Sequence, residues 1–268
     1  MRRLSRALLA LGRTSIAEMI QYRSEVALWA VWGIVYPAVA LTMWNAALAG
    51  APDKQLAGFG PRDFAAYFVL TMVAGHLTGA WDAWEMGYLV RTGALSPALL
   101  RPILPMWKSI CDNIAYKLVT LVILAPIWVA VALLAEARFS TSAPQFALGA
   151  LAMLLAAVLH YLWGYNIAVL AFWTTRTDAV GEMWFGSSLV FGGRLAPLAL
   201  LPTPLQWVAA ALPVKWIIWF PAEALIGRLS PAEIGVGLAW QAGWTITALI
   251  VFRRMWPAGL RCYSAVGA

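Results

Sequence analysis

The stretch Val26-Ala-Leu-Trp-Ala-Val-Trp-Gly-Ile-Val-Tyr-Pro-Ala-Val-Ala-Leu-Thr-Met-Trp-Asn-Ala-Ala-Leu-Ala-Gly-Ala-Pro52 runs for 27 residues without an Asp, Glu, Lys or Arg. A helix rises about 1.5 Å per residue and the hydrocarbon core of a bilayer is about 30 Å thick, so about 20 such residues make one crossing. Stretches of the same kind recur along the chain and predict crossings near 26–48, 64–86, 114–135, 146–173, 184–202 and 235–253. The interval 203–234 is also apolar, but Pro202, Pro204, Pro213 and Pro221 interrupt it. Proline removes a backbone donor and clashes with the preceding turn, so this interval is expected to be broken or re-entrant. The fold class that follows is all-α: a polytopic membrane protein with six transmembrane helices and a re-entrant segment between helices five and six.

Composition points the same way. Charged residues make up 12% of the chain, half the share of about a quarter found in soluble domains. Once six spans are removed, the remaining segments are too short to bury a core of their own. The expected organisation is an N-terminal interfacial helix over 1–24 and one six-helix membrane domain over 25–268.

The net charge of +7 is informative through its distribution. With a cytoplasmic N-terminus, the inner segments hold Arg2, Arg3, Arg6, Arg13, Arg23, Arg91, Arg101, Lys108, Arg176, Arg253, Arg254 and Arg261. The outer ones hold Lys54, Arg62, Arg138, Lys215 and Arg228. Twelve against five follows the positive-inside rule, with both termini in the cytoplasm. The cations are accounted for by topology, and no clustered basic face remains for nucleic acid.

The first 24 residues lack the uninterrupted apolar run and the cleavage site of a signal peptide, because Arg13 breaks the run. At 100° per residue Arg2, Arg6 and Arg13 fall within about 40° of one another, and Leu4, Leu8 and Leu11 lie opposite. An amphipathic helix on the inner membrane surface is expected, serving as an anchor for the first span or as a lever against a partner.

The inner loop after the second span reads Tyr88-Leu-Val-Arg-Thr-Gly-Ala-Leu-Ser-Pro-Ala-Leu-Leu-Arg-Pro102. Ser96 before Pro97 is a helix-start signal, and Pro102 stops the helix soon after. Leu95, Leu99 and Leu100 beside Arg91 and Arg101 make either an apolar knob for a soluble subunit or a surface helix dipping into lipid.

These segments together resemble the ABC-2 class of ATP-binding-cassette exporter permeases, in particular the six-span branch that includes viologen-exporter-like permeases. The resemblance rests on Gln21-Tyr-Arg-Ser-Glu25, on the Arg91 to Pro102 loop, and on Phe191-Gly-Gly with Pro197-Leu and Leu201-Pro202. It continues through Pro213, Phe220-Pro221, Gly227-Arg-Leu-Ser, Gln241 and Trp244, and ends at Gly259-Leu-Arg-Cys-Tyr-Ser-Ala-Val-Gly267. Gly192 stands where the family commonly has serine. The resemblance implies a half-transporter in a bacterial inner membrane, paired with a second permease as a homodimer or with a sister chain. An ABC ATPase subunit would dock on Arg91, Gly93, Leu95, Leu99, Leu100, Arg101 and Pro102.

The residues themselves supply no energy source. None of the four lysines (Lys54, Lys108, Lys117, Lys215) follows a glycine, so no phosphate-binding Gly-x-x-x-x-Gly-Lys loop exists. Asp82, Glu85, Asp112 and Glu182 fall near span ends, whereas an ion-driven carrier is expected to place carboxylates at mid-depth. No enzymatic activity is expected of the chain itself, and no cofactor is implied.

Four residues are candidates for a transport path: His76 and His160, halfway along spans two and four, Arg194, within span five, and Trp128. The imidazoles can bridge helices by hydrogen bonds, contact substrate or, less suitably with only two histidines, hold a metal. Arg194 can snorkel, pair with a carboxylate of the partner permease, or face an anionic headgroup. Most of the 16 tryptophans belong to the interfacial belt and its membrane lipid. Deeper ones such as Trp128 would suit a hydrophobic cationic drug through their ring faces. The competing function classes are a membrane-embedded enzyme acting on lipid, which needs a clustered metal or histidine site, and a channel or scaffold.

Overall fold

The computed structural model describes residues 2–50, 55–174 and 177–264, with side chains of the first helix described from Leu4 onward. The roles expected of the Arg2 and Arg3 side chains, of Lys54 and Arg176, and of residues 265–267 lie outside the described residues. The described chain is helical throughout: α1 (Arg2–Gln21), α2 (Arg23–Ala49), α3 (Pro61–Thr78), α4 (Asp82–Arg91), α5 (Leu95–Leu99), α6 (Pro105–Leu134), α7 (Ala143–Val169), α8 (Thr177–Phe191), α9 (Thr203–Ala211), α10 (Trp219–Ile226) and α11 (Pro231–Cys262).

Local chemistry sets the starts. Pro61 and Pro105 open α3 and α6, where a missing N–H costs nothing. α11 begins with a capping box: Ser230 Oγ accepts from the Glu233 amide at 3.3 Å, and Glu233 Oε2 accepts from the Ser230 amide at 2.8 Å.

Five helices are long and apolar enough to cross a membrane: Arg23–Ala49, the α3–α4 pair Pro61–Arg91, Pro105–Leu134, Ala143–Phe172 and Pro231–Cys262. α3 is the central element, with Phe64 to Val69 all buried. α6 faces outward, with Val122, Leu133 and Leu134 at 76%, 73% and 87% exposure. Leucines that exposed belong against lipid.

The fifth crossing departs from the expected 184–202. α8 has 15 residues and stops at Phe191, because Gly193 takes a φ of +79 that side chains resist. A Cβ on Gly193 would also collide with the Tyr67 hydroxyl. The chain still traverses the bundle. Arg91 of α4 lies 3.8 Å from Asp178 at the start of α8, and Trp44, near the far end of α2, donates to the Leu195 carbonyl at 2.9 Å. With α8 as a short crossing, six traverse the bundle, and α1, α5 and the end of α11 share one side.

The 203–234 interval is bent, as its prolines predict. α9 and the segment Pro213–Ile226 meet at 81°. Gln241 Nε2 holds the turn by donating to the Trp216 carbonyl at 2.8 Å and to the Ala152 carbonyl at 2.9 Å. Ala152 and Gln241 each lie about ten residues into their helices, about 15 Å from the far surface. The turn therefore reaches mid-depth. Lys215, expected in an outer loop, sits on this turn instead and leaves the outer charge count.

Close approaches between helices use glycines that the small-x-x-x-small pattern does not reveal. A Cβ on Gly237 of α11 would overlap the Phe220 ring, and one on Gly149 of α7 would come within 2.8 Å of Leu225. Gly75-His-Leu-Thr-Gly79 has the small-x-x-x-small spacing that predicts a helix contact, but Gly75 faces Arg194, and Gly79 ends α3.

Candidate functional site

The loop after α4 turns at Gly93, whose φ of +73 suits glycine, and α5 starts at Leu95, two residues earlier than the Ser96-Pro97 signal suggests. Ser96 does not cap the helix. Its hydroxyl instead pairs with the Tyr263 hydroxyl at 2.8 Å, tying α5 to the end of α11. The residues expected to meet an ATPase divide into two groups. Leu95 is fully buried and Leu99 half-buried, both in an aromatic cluster with Met86, Tyr165, Phe172 and Trp256. Leu95 has no exposed surface to offer a partner, whereas Leu99 keeps part of its own. Leu100, 88% exposed, stands out from the loop with Arg101 and Pro102, both exposed. Arg91 is exposed beside Asp178.

Directly behind this loop lies a cavity of about 210 Å³ lined by Asp82, Glu85, Arg101, Lys108, Ser109 and Asp112 among others. Lys108 Nζ donates to Glu18 of α1 at 2.8 Å and to Asp112 at 2.5 Å. Ser109 donates to Asp82, and Tyr161 of α7 donates to Ser109 at 3.0 Å. Two polar groups built on neighbouring residues of α6 thus tie it to α1 and to α4 and α7, behind the α5 loop. Ten residues of α1, about 15 Å, separate Leu8, whose carbonyl accepts from Cys111, from Glu18. Their partners Cys111 and Lys108 lie one turn apart on α6. α1 is thus held at two points against the first turns of α6. Its Leu8 and Leu11 are half-buried while Arg6 and Arg13 are exposed.

Both histidines bridge helices. His76 Nε2 lies 3.2 Å from Thr120 Oγ1, joining α3 to α6, and His160 Nδ1 lies 3.2 Å from Thr78 Oγ1, joining α7 to α3. Trp128 is buried against His76, with ring centroids 5.5 Å apart. Among the described residues no cluster of three or more His, Cys, Asp or Glu has the placement to hold a metal. Lys117 Nζ points one turn back toward Asn113, at 3.4 Å.

Arg194 lies close to the histidine bridges, beside Gly75, the residue before His76. Its guanidinium points inward, lying against Gly75, where a Cβ would sit 3.8 Å from Nη1. Sequence reading passed over Glu223, which is 4% exposed within the re-entrant pair and accepts from Arg228 Nε at 3.2 Å. It lies in a run broken by prolines, and only the fold of that run buries it.

A bundle of apolar crossings, a re-entrant pair and an apolar-cationic loop on one face make this an all-α polytopic membrane protein. The sequence matches the family described as ABC-2 family transporter protein over residues 53–267. The chain belongs to that family, and membership implies an ABC ATPase subunit as partner. No curated protein and no solved structure matched the chain.

Proposed function

We propose that this chain is the permease half of an ATP-driven exporter that moves a hydrophobic or amphipathic substrate out across the bacterial cytoplasmic membrane. ATP is hydrolysed by the separate ATPase subunit, which docks on Leu100, Arg101 and Pro102. A second permease, a copy of this chain or a sister chain, completes the path. Both termini face the cytoplasm, and residues 1–24 act as an interfacial helix beside the permease domain of 25–268.

The observation that carries the reading is Leu100, a large apolar side chain left 88% exposed between Arg101 and the packed Leu95 and Leu99. An exposed leucine beside a cation, on a loop held by Ser96 and Tyr263, is a rigid knob for a complementary pocket. Movement of the ATPase against the knob is passed to the polar contacts at Lys108 and from there to α1 and α6.

The test is purification of the tagged chain in mild detergent after expression with its neighbouring genes. Recovery of an ABC ATPase with the wild type, and its loss from the double variant Leu100→Asp with Arg101→Asp, is the expected result. A chain that purifies alone, or a variant that keeps the ATPase, contradicts the reading.

A further inference from the structure

Two cations of this chain lie at mid-depth with no carboxylate to neutralise them. Arg194 rests against Gly75, the fifteenth of the 31 residues of the α3–α4 crossing, so its guanidinium is near the middle of the membrane and does not snorkel outward. Lys215 sits at the tip of the re-entrant turn, with Nζ 4.9 Å and 4.7 Å from the ring centroids of Trp216 and Trp219. Among the described residues neither forms an ion pair, and the one acidic residue of the re-entrant pair, Glu223, is already held by Arg228. Arg194 makes a cation–π contact with Phe185 at 5.7 Å and lies near the Tyr36 phenol, and its Nε is buried without an acceptor.

The surroundings carry further donors of the same kind. The indole Nε1 groups of Trp184 and Trp219 are buried and unpartnered, and both rings pack on the apolar cluster that contains Ala74, next to Gly75. The re-entrant turn also aims the N-terminus of α10 at this depth, and the Trp219 amide at that terminus donates to the Gly192 carbonyl at 3.0 Å. Half-helix N-termini at mid-membrane favour anionic groups through their partial positive charge. Donors and cations in hydrocarbon without acceptors are costly, and the group that relieves them carries negative charge.

We propose that Arg194 and Lys215, with the indole N–H groups of Trp184 and Trp219, bind the anionic group of the transported amphiphile, a phosphate, sulfate or carboxylate, at the middle of the membrane. The proposal rests on the permease reading above and names its substrate class. It replaces a cationic drug with an anionic amphiphile: the aromatic rings here already face protein cations.

The test uses the purified permease in an uncharged maltoside detergent and follows thermal unfolding by circular dichroism with two probes of equal chain length, dodecyl phosphate and dodecyltrimethylammonium. At about a hundredfold excess over Kd, dodecyl phosphate is expected to raise the midpoint by about 5 °C relative to the cationic probe. The difference should disappear in Arg194→Gln and shrink in Lys215→Gln. If Arg194→Gln does not fold, the wild-type comparison and Lys215→Gln still decide the matter. Equal responses of the wild type to both headgroups, or an unchanged difference in a folded Arg194→Gln, overturn the proposal. So does a wild type indifferent to the phosphate whose Arg194→Gln variant falls from dimer to monomer, which assigns Arg194 to a carboxylate of a second permease. The ATPase takes no part in this measurement, so failure here is separate from failure of ATPase docking.

Discussion

Leu95 and Leu100 are five residues apart, and the sequence gives both the same apolar-beside-cation context. The fold buries one completely and leaves the other 88% exposed. Leu95→Asp is expected to lower stability by about 3 kcal/mol or more, because it buries a charge among aromatic rings. Leu100→Asp should leave the unfolding midpoint unchanged in detergent. Glycines separate in the same way. Gly237→Ala would drive a methyl into the Phe220 ring and is expected to cost about 1–3 kcal/mol, whereas Gly235→Ala, with nothing within 4 Å, should be neutral or stabilise by up to about 1 kcal/mol. Thermal melts of the two variants check this directly. At this scale the sequence was least legible. The spacing rule for small residues selects Gly75 and Gly79 and rejects Gly149, because Met153 stands four residues on; it does not register the approaches of Gly149 and Gly237 to Leu225 and Phe220, far away in the chain and brought close only by the re-entrant turn.

Elements were read more securely than residues. A run of apolar residues about 20 long has few alternatives to a crossing, and four prolines in one apolar run have few alternatives to a break. The fifth crossing was misplaced because hydropathy does not register the positive φ at Gly193, which ends α8 at Phe191 while the apolar run continues. Gln241, which holds the re-entrant turn, was visible only as part of a family pattern. Gln241→Leu should leave the Trp216 carbonyl without this donor and cost about 1–3 kcal/mol. Limited proteolysis should then show faster cleavage around residues 212–218 while α2 and α6 stay intact. Lys108 is the corresponding fastening at the other end. Lys108→Met removes both the Glu18 and Asp112 contacts, and hydrogen exchange in α1 should rise while exchange in the middle of α6 does not change.

For the whole molecule, the arrangement separates two tasks by depth. The loop at α5 offers an exposed knob on the side shared by α1 and the end of α11, and the re-entrant turn places Lys215 at mid-depth on the other half. The family match over residues 53–267 covers both regions and leaves α1 and α2 outside. The central claim is that the knob, and no other equally apolar surface, receives the ATPase. Leu134, at the opposite end of the bundle, is 87% exposed and serves as a matched control. A photo-activatable residue is introduced at position 100 or at position 134, and the permease is expressed with the ATPase encoded beside it. The cross-linked products are then identified by mass. The account predicts a permease–ATPase product from position 100 and none from position 134. Cross-linking from both positions, or from neither while the ATPase co-purifies, would contradict it.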